Sequence, residues 1–446
     1  MTNSIDEPVS SDLDTAALHA SIEAPAVDSM NLLNEIMDRF PNAISFAPGA
    51  PFMGFMEPLA IPAYIDRYRT YLRDAKHMPE RAIDRHICQY GPSQGLINGL
   101  VAEALKRDFG IDVSDDAIVI TVGCQEAMLL TVRALCATDQ DVLAVVQPCY
   151  VGMIGAARLL DVAVEAVDEC GGSIDLDQLR SLCGALRKAG KRLRALYVAP
   201  DFSNPSGTIL DMATRHQLLA LAQEEDFLIM EDSAYAFTTS AQDFVPPIKA
   251  LDTQRRVIYF GTFSKLCMPG ARVGYIVADQ QVRTRRGTYC SLAKTFAAIK
   301  SMISVNTSPI CQAIIGGMLL QHGSSLAALG QRKAEFYRAN LTRLLEALHR
   351  YVKTDSESAS RVSWNAPSGG FFVRMLLPVA SGSNLLEYCA RRYGVLWTPM
   401  IYFYLNKRQC NEIRLSCSYL TPDEMEEGVR RLALFLMDPR VSRPAA

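Results

Sequence analysis

From about residue 95 onward, short β-branched or apolar runs alternate with longer stretches whose apolar positions recur at helical spacing. The runs Ala117–Thr121, Val142–Val146, Ala195–Ala199, Phe227–Glu231, Val257–Phe260 and Val273–Val277 predict strands. Gln125–Cys136, Ser173–Ala189 and Thr214–Glu225 predict helices between them. Strands that alternate with helices imply an α/β fold, a mostly parallel sheet sandwiched by helices. Beyond about residue 325 the pattern changes. A long charged helix (Ala327–Tyr351) leads into shorter strands around Phe371–Met375 and Glu412–Ser416 and a last helix over Asp423–Met437, which together predict a smaller α+β domain.

The start of the chain reads differently. Residues 1 to about 28 are Ser, Asp, Ala and Pro without a sustained period, the pattern of a flexible arm. A short amphipathic helix follows over Asn31–Arg39, carried by Leu32, Leu33, Ile36 and Met37, and then an extended Gly/Pro segment over Ile44–Phe52. The expected organisation is therefore an N-terminal arm and segment packing with the small domain (1–70), a large domain (71–325) and a small C-terminal domain (326–446).

Composition narrows the class. The chain has 446 residues, 49% hydrophobic and 21% charged, enough for a sizeable core. A formal net charge of −3 gives no electrostatic reason to expect nucleic acid or an anionic membrane as partner. The 12 cysteines are scattered without a C-x-x-C pair and the 6 histidines without H-E-x-x-H, so no metal is expected and a reduced, cytoplasmic setting is. The acidic, polar N-terminus is unlike a signal peptide, and apolar runs such as Ala313–Leu320 are too short to span a bilayer, so a soluble protein is expected.

The chemistry concentrates in Gly261-Thr-Phe-Ser-Lys-Leu-Cys-Met-Pro-Gly-Ala-Arg-Val-Gly274, between two predicted strands. Open α/β sheets bind ligands at such connections. Thr262 and Ser264 offer hydroxyls and Arg272 a planar fork suited to a phosphate dianion. A lone lysine near a turn is usually a solvated surface residue; Lys265, set among phosphate donors, suggests a cofactor with both an aldehyde and a phosphate. Asp232 ends the apolar run Phe227–Met230, where a buried carboxylate needs a positive partner, such as the protonated nitrogen of a pyridine ring. Asn204, in Asn204-Pro-Ser-Gly207, and Tyr235 can donate to a phenolate oxygen on such a ring. Gly123, Cys124 and Gln125 open a helix whose N-terminal N–H groups form an anion site. Tyr150, in Gln147-Pro-Cys-Tyr150, could stack on the ring. Each piece alone has a plainer reading as a turn, a cap or a core side chain.

Their order carries the resemblance. Gly123, Tyr150, Asn204, Asp232, Lys265 and Arg272 each fall at or just beyond the C-terminal end of a predicted strand. Together they resemble fold-type-I enzymes dependent on pyridoxal 5'-phosphate (PLP), in the class I/II branch of the aspartate aminotransferase superfamily, over Ile44 to Ser418. The resemblance implies a PLP-binding large domain, Lys265 holding the cofactor as a Schiff base, and ping-pong exchange of an amino group between an α-amino acid and a 2-oxo acid. It further implies Gly49 (in ISFAPGAP) near the substrate carboxylate and Arg414 (in Glu412–Ser416) gripping it. Pro367-Ser-Gly-Gly-Phe-Phe372 matches the small-domain strand motif. Tyr90 (in QYGPSQG) would reach the cofactor phosphate of a neighbouring subunit, which implies a homodimer with shared active sites.

The chain departs from the family at three places: Gln147 where an acid is common, Ala234 where proline is frequent, and Cys124 where Ser or Ala is usual. None removes a catalytic group; they bear on the substrate pocket. Within the branch, ISFAPGAPF, GCQEAM, QPCYVGMIGAA and PDFSNPSGT look most like the arylglycine (hydroxyphenylglycine/dihydroxyphenylglycine-type) transaminases of antibiotic biosynthesis. A PLP-dependent lyase, decarboxylase or oxidase on the same scaffold is the alternative, followed by an aminotransferase-like regulator. Donor and acceptor identities stay open at this level.

Overall fold

The computed structural model describes residues 13–23, 35–57, 59–352, 362–405 and 409–442. The strands of the large sheet are β1 (Ile118–Thr121), β2 (Asp141–Gln147), β3 (Ala163–Cys170), β4 (Ser173–Ile174), β5 (Arg192–Val198), β6 (Leu228–Asp232), β7 (Val257–Thr262) and β8 (Gly274–Val277). They lie in the order β1-β8-β7-β6-β5-β2-β3-β4. The run β7-β6-β5-β2-β3 is parallel, and β8 is antiparallel to both β1 and β7.

The strand residues sort by parity, as the two-residue period of a strand requires. Ile118 and Ile120 join the apolar layer that also holds Tyr259 and Tyr275, whereas Val119 joins the opposite layer with Leu143, Tyr197 and Phe260. Both faces of the sheet are covered by helices, so these runs are apolar on both sides. The edge pair β3–β4 was not among the predicted strands. β3 reads AVEAVDEC with mostly exposed or half-buried positions, so its apolar signal is diluted. Ser173 and Ile174, expected in a helix, form β4; the helix begins at Leu176 after Asp175 accepts the Gln178 N–H as its cap.

The smaller unit is a four-stranded sheet of Ser363–Trp364, Phe372–Leu376, Glu412–Ser416 and Thr398–Pro399, covered by helices Ser383–Tyr393 and Pro422–Leu436. Ile44–Ser45 pairs in parallel with Val395–Leu396, and Ile36 and Phe46 share its core. The segment 35–47 thus belongs with this unit. The predicted helix over Asn31–Arg39 is helical at 35–39; 31–34 lie outside the described residues.

The next helix along the chain packs on the other unit. Helix Ile61–Asp74 packs on helix Pro309–Gln321 of the large unit, with Tyr68 and Leu72 in that core. Gly317 makes the approach possible: a Cβ there would lie 1.9 Å from the carbonyl oxygen of Tyr64. The 326 boundary is also bridged. Helix Leu326–Tyr351, 26 residues and about 39 Å long by helical rise, contributes Leu326 and Leu329 to one core and Leu341, Leu344 and Leu348 to the other.

Candidate active site

The parallel strands and the reversed β8 bring several chain segments to one sheet edge. The turns after β1, β2, β5, β6 and β7 open there. Arg272 reaches the same edge because it precedes β8, which runs the other way; its place is the start of a strand rather than the end of one. A cavity of about 530 Å³ lies at this edge, between the sheet and the smaller unit. Of the sequence-predicted residues, Gly49, Cys124, Gln125, Tyr150, Asn204, Asp232, Tyr235, Thr262, Ser264, Lys265, Arg272 and Arg414 all line it.

One end gathers a helix N-terminus, two hydroxyls and a guanidinium. Gly123 begins helix Gly123–Leu135 with φ +72°, and a Cβ there would sit 2.3 Å from Nη2 of Arg272. Only glycine lets the guanidinium lie against the helix N-terminus. Arg272 itself has φ +50° and donates from Nη1 to Ser264 Oγ at 3.2 Å. Thr262 Oγ1 accepts the Ser264 N–H at 3.1 Å. Both hydroxyls therefore act as acceptors within the protein and keep their O–H protons free to donate. Gln125 is partly committed: its Nε2 donates to the Gly152 carbonyl at 2.8 Å.

The floor is anionic. Asp232, 7% exposed, ends β6 with Oδ2 accepting from the Tyr197 hydroxyl at 2.6 Å and Oδ1 3.9 Å from the Cys124 sulfur. Burial pushes its carboxyl up to about 6, and the Tyr197 hydrogen bond opposes that rise. Tyr150, whose phenol burial pushes up to about 12, supplies an aromatic wall.

Lys265 follows β7 and stands in the cavity, its Nζ donating to the Gly49 carbonyl at 2.8 Å. Burial, then the charges of Arg414 and Arg272, bring its ammonium down to about 8, against a smaller opposing pull from Asp232. The loop that carries it is held from below by the buried Lys333, which donates to the carbonyls of Leu266 at 2.6 Å and Cys267 at 2.8 Å. Lys333→Met keeps the shape but leaves two carbonyls unpaired. It is expected to lower unfolding stability by about 1–3 kcal/mol in denaturant titration and to loosen the Lys265 loop, seen as faster hydrogen exchange there.

The opposite end presents a buried guanidinium. Arg414, buried, stands over the ring of Phe372 at 4.3 Å and near that of Phe403 at 5.1 Å. Its Nη1 donates to Asn204 Oδ1 at 2.6 Å, and its Nη2 to the Ala47 carbonyl at 2.7 Å and Thr398 at 3.2 Å. Its Nε is buried without a partner, a donor left for a ligand. Burial lowers the guanidinium to about 10. Because Asn204 accepts through Oδ1, its amide nitrogen is the donor side that faces the cavity, and its hydrogen bond to the Tyr235 phenol opposes the rise that burial causes there. The Asn204 turn is clamped by Glu169, which accepts from Ser206 at 2.7 Å and Thr208 at 3.1 Å. Gly49 stays glycine because a Cβ would lie 2.9 Å from the Phe372 ring. Gln147 donates to Asp168 at 2.6 Å, on β3.

Tyr90 does not join this set. It lies outside the cavity lining and is 83% exposed. Sequence reasoning in turn passed over Tyr197, Thr398, Phe403 and Lys333, and the rim residues Met37, Tyr402 and Tyr419. The tyrosine in the strand run Ala195–Ala199 was the one available signal: a polar tip inside a buried strand needs a partner.

Comparison with known proteins gives the same picture. The family model described as aminotransferase class I and II matches residues 67–432. The chain is 42% identical, over 98% of its length and 98% of the relative's, to the (S)-3,5-dihydroxyphenylglycine transaminase of Amycolatopsis orientalis. It is 30% identical, over 77% and 80%, to the 2-aminoadipate transaminase of Thermus thermophilus. Among solved structures, an archaeal alanine:glyoxylate aminotransferase superposes with a TM-score of 0.78 at 26% identity, covering 95% of this chain and 98% of that one. The Pyrococcus horikoshii kynurenine aminotransferase, solved with PMP, superposes with a TM-score of 0.76 at 25% identity, covering 95% of both. With six ordered motifs converging on one cavity and a family model spanning most of its length, the chain belongs to the class I and II aminotransferases and exchanges an amino group between an α-amino acid and a 2-oxo acid.

Proposed function

We propose that the cavity holds pyridoxal 5'-phosphate and that the enzyme transaminates an arylglycine-type amino acid and its 2-oxo acid. One observation supports both parts most directly. The cavity is lined by only four charged side chains among the described residues, Asp232, Lys265, Arg272 and Arg414. The first three match the ring nitrogen, aldehyde and phosphate of the cofactor, and the fourth matches the substrate carboxylate. Among the described residues, no lining cation is left over to demand a second carboxylate on the substrate side chain. The remaining walls include Met37, Met128, Tyr150, Val151, Tyr402 and Phe403, which suit a flat apolar ring. The dihydroxyphenylglycine relative agrees with that reading.

The donor set fits the cofactor: a helix N-terminus, two hydroxyls with free protons and a guanidinium for the phosphate, and a buried carboxylate for a protonated ring nitrogen. When bound, the cofactor supplies an aldehyde that captures the amino group and a ring that accepts the electron pair released at Cα. The chain's own residues direct that chemistry. Arg414 fixes the carboxylate, which sets the direction in which the Cα–H bond points. Lys265, with its ammonium lowered to about 8, can take the Cα proton near neutral pH and return it to the adjacent carbon. Asn204 and Tyr235 offer donors to the ring oxygen. Tyr90, exposed and outside its own cavity, is free to serve the site of a second copy, and a homodimer is part of the proposal.

A panel of 2-oxo acids tests the specificity. Aryl-2-oxoacetates are expected to show kcat/KM at least about 10-fold above 2-oxoadipate, the discrimination one apolar contact surface typically supplies. A preference for the dicarboxylate over every aryl compound would overturn the arylglycine assignment.

A further inference from the structure

Asp232 is held in an unusual way for a buried carboxylate. Among the described residues its side chain accepts no backbone N–H. Its only strong donor is the Tyr197 hydroxyl, 2.6 Å from Oδ2. Tyr197 is itself 2% exposed, fixed in β5 opposite Met230 of β6, and among the described residues that carboxylate is the one hydrogen-bond partner of its hydroxyl. The long Cys124 contact is the only other one, on Oδ1. One oxygen is thus occupied by a rigid phenol inside the sheet, and the other is turned toward the cavity.

We propose that Tyr197 is a positioning residue for the cofactor's ring nitrogen: by occupying Oδ2 of Asp232 it aims Oδ1 at the ring and keeps the carboxylate ionised for it. The inference rests on the PLP reading above. A carboxylate in an apolar cleft drifts toward its neutral acid, and a neutral acid cannot pair with a pyridinium. A phenol that donates to the ionised form counters the drift, since a hydrogen bond to a charged group is stronger than one to a neutral group. The other titratable or charged groups facing Asp232 do not replace it. Lys265 acts at longer range, Cys149, Tyr150 and Tyr235 give Asp232 no hydrogen bond among the described residues, and the thiol of Cys124 is a weak donor.

The test compares PLP uptake by the apoprotein as a function of pH, followed by the cofactor's absorbance, for the wild type and two variants. Titration of the cofactor itself is common to all three and cancels. In Tyr197→Phe the loss of affinity on acidification is expected to set in about 0.5–1 pH unit higher, giving roughly 3- to 10-fold weaker binding near pH 6 with a smaller difference near pH 8. With 3-fluorotyrosine at position 197, a more acidic phenol of nearly the same shape, the curve is expected to move the other way. A packing role alone would not give opposite displacements. Curves that coincide with the wild type would overturn the proposal while leaving the PLP reading intact. If the phenylalanine variant does not fold, the fluorotyrosine displacement decides alone. A wild-type protein that takes up no PLP would instead remove the reading on which the inference stands.

Discussion

Lys265→Ala is expected to lower the rate of amino-group exchange by about 10⁴-fold or more, because under the proposed function one side chain supplies both the attachment of the cofactor and the proton transfer at Cα. The structure gives the amine two properties that a surface lysine lacks. It stands inside the cavity within hydrogen-bond reach of Gly49, and burial together with two nearby guanidinium groups lowers its ammonium to about 8. The sign is set by which form is disfavoured. A buried cation beside other cations loses its proton more easily, so the neutral, nucleophilic amine is available well below the pH at which an ordinary lysine deprotonates. The reaction of the apoprotein with PLP should therefore accelerate as pH rises through about 8 and level off above it, and Lys265→Ala should abolish that profile. Stopped-flow absorbance on both proteins checks the expectation. Full turnover in the alanine variant would refute it.

Arg414→Ala should act on a different quantity. The guanidinium is pre-oriented by Asn204, Ala47 and Thr398 and sandwiched near two aromatic rings, with Nε left unpartnered. A charge-assisted, two-point grip on a carboxylate in a desolvated site contributes about 3 kcal/mol, so KM for the amino acid and the 2-oxo acid should rise by about 10²-fold. The phosphate end is remote from it and cofactor uptake should persist. Some fall in kcat is expected as well, because Asn204 Oδ1 loses its donor. Arg414→Lys should recover little, since a point ammonium cannot reproduce a planar fork fixed on three partners. Steady-state kinetics with a separate PLP titration distinguish the effects; an unchanged KM would contradict the assignment.

Much of this site was legible because it is written in turns. Asn204, Asp232 and Lys265 each follow an apolar run that could only be a buried strand, and parallel topology places such ends together. Arg272 was found by its chemistry, although the reason for its position, the reversal of β8, is a property of strand pairing that no local pattern carries. Tyr197 was missed for a related reason. Inside A-L-Y-V it looks like one more core position, and only the register of β5 against β6 shows that its hydroxyl meets Asp232. Lys333 sits on a charged helix where one lysine resembles another, and its burial depends on where that helix crosses the loop after Lys265. The packing of helix Ile61–Asp74 on helix Pro309–Gln321 was not legible locally, because Gly317, which lets them approach, lies about 250 residues away in sequence.

The proposed chemistry stands on a covalent link between Lys265 and the cofactor. Borohydride reduction of the wild-type protein mixed with PLP, followed by proteolysis and mass spectrometry, tests it most directly. One reduced cofactor per chain is expected, on the peptide that carries Lys265. An unmodified Lys265 peptide, or a label found chiefly on another lysine, would contradict it.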